Sequence, residues 1–337
     1  MKIYLQNNVK KFELTNEIIK RIWENTNIIE YEKYKDTTKD IFLNIWNNFN
    51  INYESYKKNL NIRNNYLFIK KWNNLIVEDD KDFQSFEIYK KQWYKVYNVK
   101  IWQNCSLWCN YCYLLSSNKF NPELTIYWNI KEEVKKFLNK NKWEKIVLNI
   151  WEYTDSFLFD KTTNLTSFFR EMCLKNENLI VESRTKLQNL KINFKPIDNF
   201  VLWFSISINE MDIFWKKELI LKKLDYIKEL THKGYTVSLK FDPIITLNWY
   251  DNEFFSKIKE MNLNKIHHFS VWTLRFSKNL WKIIWNCTSS KKCSWEFEFI
   301  NWKYINKNRE NIYNFFISKM NEIWITKYYL SMDPNIA

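Results

Sequence analysis

Three cysteines lie close together in one short segment of this chain. Cys105, Cys109 and Cys112 fall within eight residues, just after a run typical of a β-strand. Three thiolates on one loop can hold three irons of a [4Fe-4S] cluster and leave the fourth iron open for another ligand. One alternative is zinc, although a fourth Cys or His at a usual zinc spacing is absent nearby. The other is three unrelated buried thiols. The segment therefore predicts an iron-sulfur site.

The remaining cysteines predict a reducing compartment. Cys173 falls in a helical pattern and is expected to be a small buried hydrophobe. Cys287 and Cys293 are expected to be simple thiols, with a second metal site as the alternative. The first residues contain no apolar stretch typical of a secretory signal, and no apolar run approaches the roughly 20 residues of a membrane helix. We expect a cytoplasmic protein without membrane contact.

From Tyr94 onward the chain alternates short β-rich runs with longer amphipathic stretches, which predicts βα units around a parallel sheet. Strands are predicted over 95–101, 146–150, 178–183, 200–207, 235–241 and 266–272. Helices are predicted near 130–140, 162–176, 215–233, 250–262 and 308–322. Six such units are too few for an eight-unit barrel but fit a partial one. The cysteines would then follow the first barrel strand, at the end where such folds carry their sites.

The flanking segments divide the chain into three predicted regions. Residues 1–93 are expected to form an α-rich N-terminal extension, because apolar residues such as Ile41 and Ile45 recur at helical spacing. Residues 94–275 would form the α/β core, a partial (β/α)6 barrel of the TIM type. Residues 276–337 would form a small C-terminal segment that closes the substrate side.

The composition is unusual in two residue types. The 337 residues include one Gly and 18 Trp, whereas average usage of about 7% would place roughly two dozen glycines in such a chain. AT-rich coding accounts for abundant Asn, Ile and Lys but not for surplus Trp. In some bacterial lineages the codon UGA is read as glycine, whereas a common translation table reads it as tryptophan. We therefore hypothesise that many of the written tryptophans are glycines in the natural protein.

The Cys-x3-Cys-x2-Cys spacing, with an aromatic residue before the last cysteine, resembles the signature of radical S-adenosylmethionine (SAM) enzymes. Four segments, in the right order over about 95–337, resemble landmarks of the spore photoproduct lyase family: Cys112-Tyr113-Leu114, Trp151-Glu-Tyr-Thr-Asp-Ser156, Phe241-Asp-Pro-Ile-Ile245 and Trp272-Thr-Leu-Arg-Phe276. In the family, glycine begins the second and fourth segments and commonly precedes the middle cysteine, where Trp108 is written. Glycine suits such turns because it permits close backbone approach and positive φ.

The resemblance implies a [4Fe-4S] cluster on the three cysteines and SAM on its open iron. SAM cleavage would yield a 5′-deoxyadenosyl radical that abstracts a hydrogen atom from the substrate, while the protein positions the reactants. Four positions match residues around SAM: Glu152 for its ammonium group, Lys186, Ser207, and Asp242, which approaches mainly through its backbone. Their structural alternatives are a strand-end carboxylate, a solvated lysine and a strand-capping serine. An external flavodoxin-like or ferredoxin-like electron donor is also implied.

Three tyrosines occupy positions relevant to hydrogen transfer. Tyr111 and Tyr113 match tyrosines that, in the lyases, help to return a hydrogen atom to the substrate radical and regenerate SAM. Packing around the cluster is the alternative. The spore enzymes carry a cysteine hydrogen donor just after the second strand, and this chain has Tyr153 there, with no cysteine between Cys112 and Cys173. A tyrosyl O–H could donate in its place.

A formal net charge of +14 favours an anionic partner such as nucleic acid. Together with the resemblance, it predicts SAM-dependent radical chemistry on damaged DNA, such as a UV-induced thymine lesion. One alternative is a radical SAM enzyme with another substrate, which the missing cysteine donor favours. The other is a basic DNA-binding protein whose cluster is structural.

Overall fold

The protein is described from a computed structural model, which covers residues 2–7, 9–22, 27–31, 65–79, 88–107, 109, 111–115, 123–150, 152–187, 190–207, 217–248, 250–278, 280–281, 297–300 and 302–330. Several predicted features lie outside these residues: the helix around Ile41 and Ile45, Trp108, Trp151, Cys287 and Cys293. Among the helices that are described, each is too short or too polar to cross a membrane.

The elements alternate along the chain. The first group is β1 (Lys2–Gln6), α1 (Glu13–Ile22), β2 (Asn27–Tyr31), β3 (Tyr66–Lys70) and β4 (Ile76–Glu78). Next come β5 (Lys95–Val99), β6 (Trp102–Gln103), β7 (Leu124–Tyr127), α2 (Ile130–Lys140), β8 (Ile146–Asn149), α3 (Asp160–Thr163) and α4 (Leu165–Lys175). These are followed by β9 (Leu179–Thr185), β10 (Phe200–Ile206), α5 (Lys217–His232), β11 (Val237–Ile244), α6 (Asn252–Lys259) and β12 (Ile266–Thr273). The last group is β13 (Arg275–Ser277), β14 (Phe297–Ile300), β15 (Lys303–Asn306), α7 (Arg309–Glu322) and β16 (Tyr328–Leu330).

The main sheet contains the predicted strands in their predicted order. Its order in the described part of the chain is β16-β12-β11-β10-β9-β8-β5-β4, and all neighbours are parallel except β4 and β5. Every residue of β10 and β11 is buried, as expected for strands covered on both faces. The six predicted barrel strands and the five predicted helices are confirmed.

The main sheet is strongly curved. Strands β9 and β12 are separated by β10 and β11, which would place them about 14 Å apart in a flat sheet. A carboxylate oxygen of Glu182 on β9 and a ring nitrogen of His268 on β12 nevertheless lie within 4.8 Å of each other. Their convergence shows that the sheet bends around a concave interior, as a partial barrel requires.

A second sheet lies across the predicted boundary at residue 93. Its order is β2-β1-β3-β7-β6, so strands from the N-terminal extension pair with strands from the core. Ile3, Leu5 and Ile69 are fully buried in it. The described residues of the extension include the four strands β1–β4 and helix α1, and residues 88–90 are also helical, so strands as well as helices make up this part of the region. The division into three regions remains a prediction.

Three tryptophans adopt the left-handed backbone that favours glycine. Trp93, Trp302 and Trp324 have φ values of 65°, 66° and 64°, and their side chains are 86%, 81% and 82% exposed. A bulky residue in this region is a steric outlier, and no burial of these indoles offsets the cost. These positions therefore agree with the glycine hypothesis.

Trp324 occupies the same motif as the single glycine. After helix α7, the N–H of Trp324 bonds to the carbonyl of Asn321 and that of Ile325 to the carbonyl of Met320. After helix α5, Gly234 and Tyr235 make the equivalent bonds to Thr231 and Leu230, with φ +91° at Gly234. Both are Schellman motifs, whose left-handed position is usually glycine. Trp93 and Tyr94 repeat the pattern with Lys90 and Tyr89.

Other tryptophans occupy different environments. Trp143 is 84% exposed after α2. Trp102, in contrast, is fully buried in strand β6 and donates to the Asp155 carbonyl at 3.2 Å. Trp272 lies near the end of β12, with Lys240 Nζ 4.6 Å from its ring centroid.

Candidate active site

The three cysteines lie in the segment that follows β6, at the end of the barrel to which the carboxyl ends of its strands point. The N–H of Leu107 donates to Cys105 Sγ at 3.5 Å, and the N–H of Cys112 donates to the Cys109 carbonyl at 3.0 Å. Cys109 and Tyr111 are buried in an apolar cluster with residues such as Leu274. The short strand β6 therefore intervenes between the first barrel strand and the cysteines.

The three thiols lie farther apart than the ligands of one zinc ion would. Thiolates on one zinc ion lie within about 4 Å of one another because Zn–S bonds are about 2.3 Å. Among the described residues, the cysteine sulfurs do not form a group that is mutually within 4.8 Å. Burial, with the nearby Asp155, raises the pKa of the Cys105 thiol well above its usual value. A bound cation would favour the thiolate form of Cys105, which metal binding by cysteine requires.

Asp155 connects the loop after β8 to the end of β9. Its Oδ2 accepts hydrogen bonds from the backbone N–H of Lys186 at 2.7 Å and from Thr185 Oγ1 at 3.0 Å. Its neighbour Thr154 donates to the Asn104 carbonyl at 2.9 Å, immediately before the first cysteine. Burial raises the Asp155 pKa, although these hydrogen bonds oppose the rise. The polar residues of the second landmark thus position the cysteine loop relative to Lys186.

Lys186 projects over the cysteine loop. Its Nζ donates to Tyr111 Oη at 3.1 Å and to the Asp242 carbonyl at 3.3 Å, and it lies 4.5 Å from the centroid of the Tyr111 ring. Three predicted site residues are therefore joined directly. The contact with Asp242 is made by the backbone carbonyl of that residue.

The Asp242 side chain belongs to a buried charge cluster. It forms a salt bridge with Arg184, and Lys240 Nζ lies 3.8 Å from its Oδ2. Burial alone would raise the Asp242 pKa, but the charges of Lys240 and Arg184 outweigh it and lower the pKa. Burial also lowers the pKa of Lys240 to about 7, and Arg184 adds to the effect. These charged groups make the barrel interior next to the site strongly polar.

The other predicted residues line the same end of the barrel. Tyr113 donates its O–H to the Glu152 carbonyl, and the Glu152 charge also acts on Tyr153 and Lys240. Tyr153 is half-buried, with Lys100 Nζ 4.8 Å from its ring centroid. Ser207 is fully buried and donates to the Pro243 carbonyl at 3.0 Å. Ser207 thus ties the ends of β10 and β11, as its structural alternative supposed.

Sequence reasoning missed Arg184, Lys240 and Lys223. Arg184 donates one hydrogen bond to Ser205 Oγ at 2.8 Å and another to Asp242 Oδ2. Lys223, on α5, donates from Nζ to the Ser205 carbonyl at 3.1 Å. One signal was available, since the polar residues Ser238, Lys240 and Asp242 alternate with apolar residues along β11. Period-two alternation places all three on one face, which marks a polar barrel interior. Cys173, in contrast, is buried on α4 and contacts the Asn199 carbonyl, as predicted.

No protein-family model and no curated protein matches this sequence, but solved structures of spore photoproduct lyase match the fold. A mutant of that enzyme has a TM-score of 0.70 at 15% identity, covering 98% of this chain and 97% of that one. Another mutant, with bound AdoMet and dinucleoside spore photoproduct, has a TM-score of 0.68 at 14% identity over the same shares. The chain therefore has the fold of spore photoproduct lyase over nearly its whole length, and the predicted partial TIM-type barrel is confirmed.

Proposed function

We propose that this protein is a radical SAM enzyme that repairs a thymine lesion in DNA. The observation that carries the proposal is the convergence of the three-cysteine loop with Lys186 and Asp242 at one end of a curved parallel sheet. The solved structure that has this fold and contains AdoMet together with a dinucleoside spore photoproduct supports the same reading.

Each cofactor has candidate residues. Cys105, Cys109 and Cys112 would each bind one iron of a [4Fe-4S] cluster, and the neighbouring polar groups Glu152, Lys186, Ser207 and Asp242 would surround SAM. When bound, the cluster and SAM would supply a 5′-deoxyadenosyl radical. The buried, hydrogen-bonded setting of these groups would keep water from a reactive intermediate, which is the protein's main task in such chemistry.

The chain's own residues would position the reactants and return the hydrogen atom. Lys186 is oriented at both ends, by Asp155 at its backbone and by Tyr111 at Nζ. Tyr111 is 6% exposed, so its phenol is shielded from bulk solvent and oriented by the lysine. Tyr113, whose O–H is held by the Glu152 carbonyl, would have to break that bond before donating. Under the proposal, Tyr111 and Tyr153 are therefore the better placed hydrogen donors.

Reductive cleavage of SAM tests the proposal. The anaerobically reconstituted protein, reduced with dithionite, should convert SAM to 5′-deoxyadenosine, measured by liquid chromatography and mass spectrometry. Substituting Ala for Cys105, Cys109 or Cys112 should remove both the cluster absorbance and the cleavage, whereas Cys173→Ala, a matched control away from the site, should keep both. Retained cleavage in the triple cysteine variant would refute the assignment.

A second candidate is a radical SAM enzyme that acts on another substrate. It is favoured by Tyr153, which stands where the lyases carry a cysteine hydrogen donor, and by the position of Cys173 on α4. In the described residues, the cysteines at the barrel mouth are those of the cluster loop alone. An enzyme that cleaves SAM but leaves spore photoproduct unchanged belongs to this class. A chain that holds a cluster but yields no 5′-deoxyadenosine would instead be a DNA-binding protein with a structural cluster.

A further inference from the structure

A second set of ligand-type side chains lies inside the barrel, towards the amino-terminal ends of its strands. A carboxylate oxygen of Glu182 and one ring nitrogen each of His267 and His268 all lie within 4.8 Å of one another. Glu182 and His268 are fully buried. The proposed SAM site does not use these residues, and the Trp203 indole, which contacts both His268 and Arg184, lies between them and the charge cluster above.

The backbone of β12 brings both imidazoles to this place. Val237 pairs with Ile266 and Ser238 pairs with His268, so His267 is an extra residue in the strand. Successive residues of a regular strand point to opposite faces, and a bulge of this kind re-aims one side chain. The curvature of the sheet then brings Glu182 across from β9, although β10 and β11 lie between β9 and β12.

The two imidazoles face each other through the same type of atom. Nδ1 of His267 lies 2.7 Å from Nδ1 of His268. Two nitrogen lone pairs at this distance repel unless a proton or another cation lies between them. A metal ion bound to both rings would take the place of such a proton, since neutral imidazole is the form that binds metal ions.

Glu182, His267 and His268, here called the triad, are oriented by contacts with residues around them. Tyr89 donates its O–H to Glu182 Oε1, and its ring stacks on His267 with centroids 5.3 Å apart. Tyr329 Oη lies 3.4 Å from His268 Nε2. A proton on Nε2 that is donated to Tyr329 leaves Nδ1 as the ligand atom. Metal-binding histidines and carboxylates usually have such outer partners.

A cavity reaches His267, one of the three residues, from the surface. It has a volume of about 600 Å³, and its lining includes His267, Gln92, Asp198 and Lys265. The Asp198 side chain is 82% exposed, so the cavity reaches solvent at that rim. An ion therefore has a path to His267 that does not pass through the cysteine site.

We propose that Glu182, His267 and His268 form a second metal site, which binds one divalent transition ion such as Zn²⁺. Two imidazoles and a carboxylate are a usual donor set for such ions. With bonds of about 2.0–2.2 Å, the ligand atoms would lie roughly 3–4 Å apart, which small side-chain rotations from the present positions achieve. The ion would link β9 to β12 across the barrel. This inference does not rest on the proposed function.

Zinc content tests the site. The cluster-loaded protein, equilibrated with Zn²⁺ and desalted anaerobically, should retain about one zinc per chain by mass spectrometry. His267→Gln and Glu182→Gln should each lower retention at least tenfold. The matched control is His232→Gln, because this histidine lies on the exposed side of α5 and contacts the Glu260 carbonyl. The triple Cys→Ala variant of the cluster loop should also keep its zinc. Less than about 0.1 zinc per wild-type chain would refute the proposal.

X-ray absorption at the zinc edge decides the question even if the variants fail to fold. In the wild-type protein we expect nitrogen and oxygen neighbours only, with the outer scattering typical of imidazole. Sulfur neighbours would place the ion on cysteines and overturn the inference. Loss of zinc in His267→Gln with SAM cleavage retained would confirm that the two sites are separate, and failed SAM cleavage with zinc retained would count only against the proposed function.

Discussion

Tyr153 provides the sharpest test at the scale of single residues. If it donates the hydrogen atom, wild-type protein should convert a dinucleotide spore photoproduct to two thymines. Tyr153→Phe should leave 5′-deoxyadenosine formation intact but lower clean thymine formation at least tenfold, because the substrate radical then lacks a nearby donor. Tyr153→Cys should restore clean thymine formation. Product analysis by chromatography and mass spectrometry checks both.

The control for this series is Tyr66→Phe, on strand β3 of the second sheet, which should behave as wild type. If wild type cleaves SAM but leaves the photoproduct untouched, and the Tyr153→Cys variant is equally inert, the lyase proposal fails. The protein would then belong to the class with another substrate.

We expect the free energy of unfolding to depend on pH because of Lys240. Its pKa is lowered to about 7 by burial, against a usual 10.5. Between these values the unfolded chain binds the extra proton, so the free energy of unfolding should rise with pH over that window. From pH 7 to 8.5 we expect the wild-type value to increase by up to about 2 kcal/mol relative to Lys240→Met, since one pKa unit corresponds to about 1.4 kcal/mol. Urea unfolding at both pH values measures this.

Thiol and tyrosine titrations contribute equally to wild type and to Lys240→Met, so they drop out of the difference between the two proteins. A constant difference between pH 7 and 8.5 would mean that Lys240 stays charged beside Asp242, and it would contradict the prediction.

At the scale of elements, the left-handed tryptophans test the glycine hypothesis. Trp93→Gly, Trp302→Gly and Trp324→Gly should each stabilise the protein by about 1 kcal/mol, because glycine avoids the steric cost of positive φ. The sites are far apart in sequence and exposed, so the triple variant should gain about 3 kcal/mol. Urea unfolding provides the measurement.

Trp302 gives the most specific case. Ile300 pairs with Lys303 across the β14–β15 hairpin, and the sequence between these two residues is Asn301-Trp302. Asn-Gly is a strongly preferred sequence for such a loop. We therefore expect glycine at 302 in the natural protein.

The control for this set is Trp203→Gly, which should destabilise the protein by about 3–5 kcal/mol because the indole fills the barrel interior. Peptide mass spectrometry of the protein from its native host should show glycine at 93, 302 and 324. Tryptophan at all three positions would refute the recoding hypothesis.

For the whole molecule, the net charge of +14 predicts salt-dependent binding of DNA. Affinity for a lesion-containing oligonucleotide should fall steeply between 50 and 200 mM salt, by about tenfold or more, because bound counterions are released from each neutralised phosphate. A dinucleoside lesion, which offers far less backbone charge, should bind with little salt dependence. Fluorescence polarisation for the oligonucleotide and calorimetry for the dinucleoside measure these affinities. Equal salt dependence for both ligands would argue against a DNA-binding surface.

The sequence by itself determined the parallel core and the cysteine loop. Strands such as β10 and β11 are predictable because burial on both faces demands continuous apolar runs, and the helices between them show a clear 3.6-residue period. Cys105, Cys109 and Cys112 are recognisable because their spacing is local. The order of the landmark segments along the chain was also sufficient to predict the partial barrel.

Only the tertiary structure decided which distant residues meet. The contact of Arg184 with Asp242 and that of Glu182 with the two histidines join residues about sixty or more positions apart and depend on sheet curvature and strand register, which no local pattern encodes. Strand β1 was missed because it is stabilised by pairing with β2 and β3. Long-range pairing of this kind outweighs local propensity, so the sheet becomes visible only in the folded chain.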